Sequence, residues 1–114
     1  MCYNLNMKEK ILKADLHLHS AASDGMLSPS EVVSAAAAAG LELIALTDHD
    51  TVDGVSEASE RGRELGVKVL AGVELSAYDG EEIHILGYNV PYKNAEFLKE
   101  ILSTFYLLFY LLST

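Results

Sequence analysis

The sequence predicts an α/β fold in which parallel strands alternate with helices, and three observations predict it. Short apolar runs of strand length alternate with stretches of helical character, a glycine closes each of the first two helical stretches, and the connections are only a few residues long, as βα units require. Its 114 residues, half of them apolar, hold one domain at most. Residues 1–13 read as a polar lead-in, 14–93 as the α/β domain and 94–114 as an apolar helical tail.

Ala14 to His19 sets Leu16 and Leu18 against His17 and His19; period two means a strand with both histidines on one face. A Ser-, Ala- and Gly-rich loop through Ser23, Asp24 and Gly25 follows. Ser28, Pro29, Ser30 and Glu31 then supply a capping box with proline at the first helical position, and the helix runs to Ala39 with Gly40 as terminator. Leu41 to Thr47 is a continuous aliphatic run apart from Glu42, which suits a strand covered on both faces. A second helix is expected from Asp53 to Leu65, stopped by Gly66, then a third strand over Val67 to Leu75. A turn at Tyr78, Asp79 and Gly80 leads into a fourth strand, Ile83 to Val90. From Ile101 to Leu112 only Ser103 and Thr104 are polar, a run too short to cross a bilayer, which takes roughly 20 residues. It reads as a buried terminal helix or as a packing surface for another chain; an interfacial membrane anchor would carry a basic polar face that this run lacks.

Eight basic and 17 acidic side chains give a net charge of −9, which argues against a broad nucleic-acid surface. The single cysteine, Cys2, rules out an intrachain disulfide and a thiolate metal cluster. No apolar run of signal-peptide length occupies the first twenty residues, and a cytoplasmic location with no transmembrane span is expected.

The chemistry lies in where the histidines fall. His17 and His19 share a strand face near its end, His49 follows the second strand, Glu74 sits late in the third and His84 lies in the fourth. In parallel α/β folds the strand ends and the loops after them form the functional rim, so these residues and Asp24 point toward one place. Each alone has a plain structural reading. A lone strand histidine is usually hydrogen-bonded in the core, and a buried Glu74 needs a cation or several donors. Asp48 and Asp50, which flank His49, serve either as caps and solvated loop charges or as groups that orient His49 and share in proton transfer. Two imidazoles on one strand face are costly to bury without a partner, and their recurrence at successive strand ends points to a metal centre. Imidazole and carboxylate donors without thiolate suit Mn²⁺, Fe²⁺ or Zn²⁺. Ser20 and Ser76 are expected to pack or to hydrogen-bond behind the ligands, and Arg61 and Arg63 to lie on a solvated helix face.

The strings DLHLHS at Asp15 to Ser20, SDG at Ser23 to Gly25, TDHDT at Thr47 to Thr51, GVELS at Gly72 to Ser76 and IHILGY at Ile83 to Tyr88 resemble, in order and spacing, the PHP domain named for polymerases and histidinol phosphatases. The likeness is strongest to the stand-alone phosphoesterases of that family. It implies a distorted (β/α)7 TIM-like barrel, of which this chain holds about half by the usual size of such barrels. It also implies one to three divalent metals, with His17 and His19 binding the first, Glu74 bridging, His84 on the second, and Asp24 and His49 on the third. The implied reaction is hydrolysis of a phosphorylated small molecule or nucleotide by water that the ions make nucleophilic. The family pattern also uses a late histidine and an Asp-x-His pair, whereas no histidine or aspartate follows His84 here. The alternative expectation is therefore a truncated, catalytically incompetent half-domain that binds metal or a partner. An open barrel edge and an apolar tail predict a homo-oligomer in either case.

Overall fold

A computed structural model describes residues 11–113; Cys2 and most of the expected polar lead-in lie outside the described residues. The elements follow the predicted order: β1 (Ala14–Leu18), α1 (Pro29–Ala38), β2 (Leu43–Leu46), α2 (Val55–Leu65), β3 (Lys68–Tyr78), β4 (Glu82–Tyr88) and α3 (Ala95–Ser113). They build one four-stranded sheet in the order β1-β2-β3-β4. The cap at the start of α1 is formed as its sequence requires, with Ser28 Oγ accepting from the Glu31 N–H at 3.2 Å. The next orphan donor, the Ser30 N–H, is taken by Glu57 of α2 at 3.0 Å, which ties the two helices together. Helix α2 starts two residues later than predicted because Thr51 Oγ1 holds the Asp53 N–H in a local turn.

Strands β1, β2 and β3 are parallel, as the βα alternation predicts. The fourth strand departs from that pattern: β4 returns antiparallel on β3, pairing Gly72 with Tyr88 through Tyr78 with Glu82. The connection decides this. A parallel return needs a crossover of a dozen or more residues, whereas β3 and β4 are joined by a tight turn in which Gly80 has φ 76°. Strand β3 therefore pairs with β2 over Lys68–Ala71 and with β4 from Gly72 onward. Gly72 stands where both neighbours close in. A Cβ there would lie 2.7 Å from Thr47 Cγ2 and 2.9 Å from the Leu46 carbonyl oxygen, so no larger residue fits without moving the backbone.

Two apolar clusters lie against the helix-covered face of the sheet. Val32, Val33 and Ala36 of α1 and Ala58 of α2 pack on Ile44, Leu46 and Val67, and Ile44, Leu46 and Val33 are wholly buried. At about 1.5–3 kcal/mol for each such side chain, this cluster is the main anchor of the α1–β2 unit. The second cluster joins Val52, Val55, Val73 and Leu75 to Leu98, Leu102 and Phe105 of α3. The amino-terminal part of α3 packs there, while Tyr110, Leu111 and Leu112 are more than half exposed. Among the described residues no helix is long and apolar enough to cross a membrane. Because Val73 and Leu75 point to the helices, Glu74 between them must point to the opposite, concave face.

Candidate metal centre

Glu74 is the hub of that concave face and is 5% exposed. Its Oε2 lies 3.0 Å from His17 Nε2, 2.9 Å from His19 Nε2 and 3.7 Å from His49 Nε2, while Oε1 lies 3.2 Å from His84 Nδ1. Asp24 reaches in from the first loop, 3.3 Å from His19 Nδ1 and 3.2 Å from His49 Nε2. The imidazoles follow one another around the rim, with ring centroids 5.0 Å apart from His17 to His19, 4.5 Å from His19 to His49 and 5.1 Å from His49 to His84. The six residues singled out in the sequence are thus brought together. His84 arrives there because of the hairpin: it sits early in β4, but the antiparallel return sets it opposite Ser76, at the end of β3 that carries Glu74.

The backbone around Glu74 is held by the segment that carries His49. The Glu74 N–H donates to the Asp48 carbonyl at 3.0 Å and the Asp50 N–H donates to the Glu74 carbonyl at 3.0 Å. The two flanking aspartates each clasp a serine at two points. Asp48, 2% exposed, accepts from the Ser20 N–H at 2.6 Å and from Ser20 Oγ at 2.7 Å, with Ser23 Oγ adding a third bond at 2.8 Å. Asp50 accepts from the Ser76 N–H and Ser76 Oγ, both at 2.8 Å. To do so it takes φ 52°, a left-handed conformation that aspartate tolerates better than most residues. Of the two readings of Ser20 and Ser76, packing or hydrogen bonding, the structure shows hydrogen bonding, which in each case ends on an aspartate beside His49. Sequence reasoning missed Glu82, whose Oε1 lies 3.0 Å from His84 Nε2; its spacing of two from His84 on one strand was the available signal. Arg61 is tied to Glu64 and Ser34, as a helix-face charge should be.

The donor set fits divalent ions. Three overlapping groups, His17–His19–Glu74, His19–Asp24–His49 and His49–Glu74–His84, each bring three ligand atoms within 4.8 Å of one another. Two imidazole nitrogens lie within 3.0 Å of Glu74 Oε2, and a third, His49 Nε2, stands 3.7 Å away, beyond hydrogen-bond reach. His19 Nδ1 is buried without a hydrogen bond, its approach to Asp24 being near but misaligned. A cation beside His19 would give that nitrogen the partner it lacks.

Burial pushes the Glu74 carboxyl up, but the His17 hydrogen bond and the nearby His49, His17 and His19 outweigh it and hold the group below its ordinary 4.5. The hydrogen bond to Glu82 raises His84 above its ordinary 6.5, with partial burial opposing and the charge of Glu74 assisting. Glu74 then stabilises the fold above 4.5 and loses that effect as pH falls through its lower folded value. His84 stabilises it below 6.5 and loses that effect as pH rises through its higher folded value. Both contributions are present between those limits, so the metal-free chain is expected to melt at a higher temperature near about pH 5.5 than near about pH 8. Added Zn²⁺ is expected to reverse that order, because the imidazoles must be unprotonated to bind it. Circular-dichroism melts with and without Zn²⁺ check both halves; an unchanged order with the ion contradicts a histidine-borne site.

A partial, curled α/β sheet that gathers imidazoles and carboxylates on its concave face has the donor groups to hold divalent ions. The PHP-domain family matches residues 15–111, and the chain belongs to that family. It is 50% identical over 78 residues to a 5'-3' exoribonuclease of Haemophilus influenzae, covering 68% of this chain and 28% of that protein. It is 48% identical over 79 residues to the phosphoribosyl 1,2-cyclic phosphate 1,2-diphosphodiesterase of Eggerthella lenta, covering 67% and 30%. With the 3',5'-nucleoside bisphosphate phosphatase of Chromobacterium violaceum it shares 46% identity over 77 residues, covering 67% and 27%. Among solved structures, an amidohydrolase from Chromobacterium violaceum with bound sulfate and no metal superposes with a TM-score of 0.75 at 40% identity, over 81% of this chain and 32% of that one. The chain spans less than a third of the length of these relatives.

Proposed function

We propose that this chain carries the metal-binding half of a phosphoesterase acting on a phosphorylated small metabolite or nucleotide. The observation that carries the reading is the ring of three ligand groups closed through His19, His49 and Glu74. The names of the three relatives, an exoribonuclease, a cyclic-phosphate diesterase and a bisphosphate phosphatase, all describe cleavage of phosphate esters, which supports the substrate class. His17, His19 and Glu74 would hold one ion, Glu74 and His84 a second, and Asp24 and His49 a third. Manganese, iron and zinc all suit such donors. When bound, divalent ions supply Lewis acidity toward phosphoryl oxygens and toward water. The chain's own residues do the rest: Glu74 holds negative charge between adjacent ligand groups, and the Asp48–Ser20 and Asp50–Ser76 clasps fix the loop that aims His49. Glu82 stands where it takes or returns a proton at His84 Nε2.

A second reading, a metal-binding half-domain without turnover, is favoured by the openness of the rim. The side chains of His17 and Asp24 are 48% and 64% exposed, whereas phosphoryl transfer benefits from a site closed to bulk water. Assaying the 114-residue chain with Mn²⁺ on a nucleoside 3',5'-bisphosphate separates the two. The phosphoesterase reading expects phosphate release that disappears, together with bound metal, in a His17→Ala/His19→Ala double variant. Metal uptake without phosphate release leaves only the half-domain.

A further inference from the structure

Given the metal centre proposed above, we infer that Tyr88 and Asp15 are positioning residues for His17, gripping from both sides the peptide unit that joins Leu16 to His17. Strand β1 is irregular at this point: Asp15 stands opposite Ile44 and Leu18 opposite Leu46, so Leu16 and His17 together face Ala45. Two residues against one is a bulge, and a bulge frees a peptide from the ladder and re-aims its side chains. Both polar groups of that peptide are taken by side chains. Tyr88 Oη donates to the Leu16 carbonyl at 2.7 Å, and the His17 N–H donates to Asp15 Oδ1 at 3.1 Å.

The Tyr88 bond spans the sheet. In a flat sheet β4 would lie three strand spacings from β1, on the order of 14 Å, beyond the reach of a tyrosine side chain. The curl of the sheet brings the hydroxyl to β1 across the concave face. Tyr88 follows His84 by four residues on one strand and so shares its face, which lets β4 supply both a ligand and a strut. His17 needs such a strut more than its neighbours do. Its side chain is 48% exposed, against 22% for His19 and 26% for His49, so packing does not fix its direction and the backbone must. His17 also belongs to only one of the three ligand groups, so loss of the grip has a local signature.

The test is titration of the metal-depleted chain with Co²⁺, followed by its visible absorption and by equilibrium dialysis. Tyr88→Phe removes only the hydroxyl. It is expected to weaken one class of Co²⁺ site by about 10-fold, the usual scale for a supporting residue, and to leave the spectrum of the remaining ions unchanged. Asp15→Ala should weaken the same class, and Asp15→Asn, which keeps an acceptor oxygen, should restore it. His17→Ala should abolish that class and so identify it. Wild-type Co²⁺ binding by Tyr88→Phe and Asp15→Ala overturns the inference, as does equal weakening of every class by these variants. An unaltered chain that takes up no Co²⁺ overturns the metal centre and this inference together; normal uptake with indifferent variants overturns the inference alone.

Discussion

Glu74→Gln is expected to disable two of the three ligand groups at once. Glu74 is common to the His17–His19 group and the His49–His84 group, with Oε2 facing His17 and His19 and Oε1 facing His84. Glutamine keeps the shape but loses the charge and replaces one acceptor oxygen with an N–H₂ donor, which faces imidazole nitrogens. Replacement of a residue that merely supports a ligand costs about 10–100-fold in metal affinity, so loss of a shared ligand should cost more than about 100-fold at both groups. Only the His19–Asp24–His49 group keeps its full donor set. Equilibrium dialysis against Zn²⁺ should therefore show at most one ion per chain, and His84→Ala, which touches one group, should retain more than Glu74→Gln does. Wild-type stoichiometry in Glu74→Gln would refute the hub arrangement.

The second large effect is on stability. Asp48→Ala removes the acceptor for the Ser20 N–H, Ser20 Oγ and Ser23 Oγ, and Ser20 is wholly buried, so its two donors are left dry and unpaired. Each orphaned buried group costs about 1–3 kcal/mol, and a loss of about 3–5 kcal/mol is expected for the set. That is a large part of the roughly 5–15 kcal/mol that holds a domain together. Asp48→Asn keeps one oxygen and should recover about half. Urea unfolding of the metal-free variants measures this, and a loss below about 1 kcal/mol would show that the clasp is not structural. The same variant should loosen His19 and His49, because Ser20 follows the first and Asp48 precedes the second.

Much of this centre is legible in the order of the amino acids. Period two places His17 and His19 on one face, and the position of Glu74 between Val73 and Leu75 makes it a buried carboxylate in need of cations. Helix ends are legible because Ser28, Gly40 and Gly66 act through local chemistry alone. Pairing direction is not legible in the apolar pattern of β4; its signal lies in the shortness of the turn through Gly80, which closes a hairpin. Tyr88 and Asp15 stand at the ends of two of the family strings, but their role is not legible there for a related reason. Their partners are main-chain atoms exposed by a bulge, and a bulge is a property of two strands in register that neither strand's sequence announces. Glu82 is hidden by its ordinary appearance as a turn-flanking charge.

The split allegiance of β3 bears on the order in which the centre assembles. Glu74 meets His84 across a hairpin, a local contact of the kind that closes in about 1–10 μs. It meets His17 across 57 residues and two helical crossovers, which must be in place first. Loop-closure entropy and contact order make that second meeting the slow one. A full-length chain folding from the denatured state would therefore own the His84 side of its centre before the His17 side, and an ion captured early would be held by the hairpin while β1 docks.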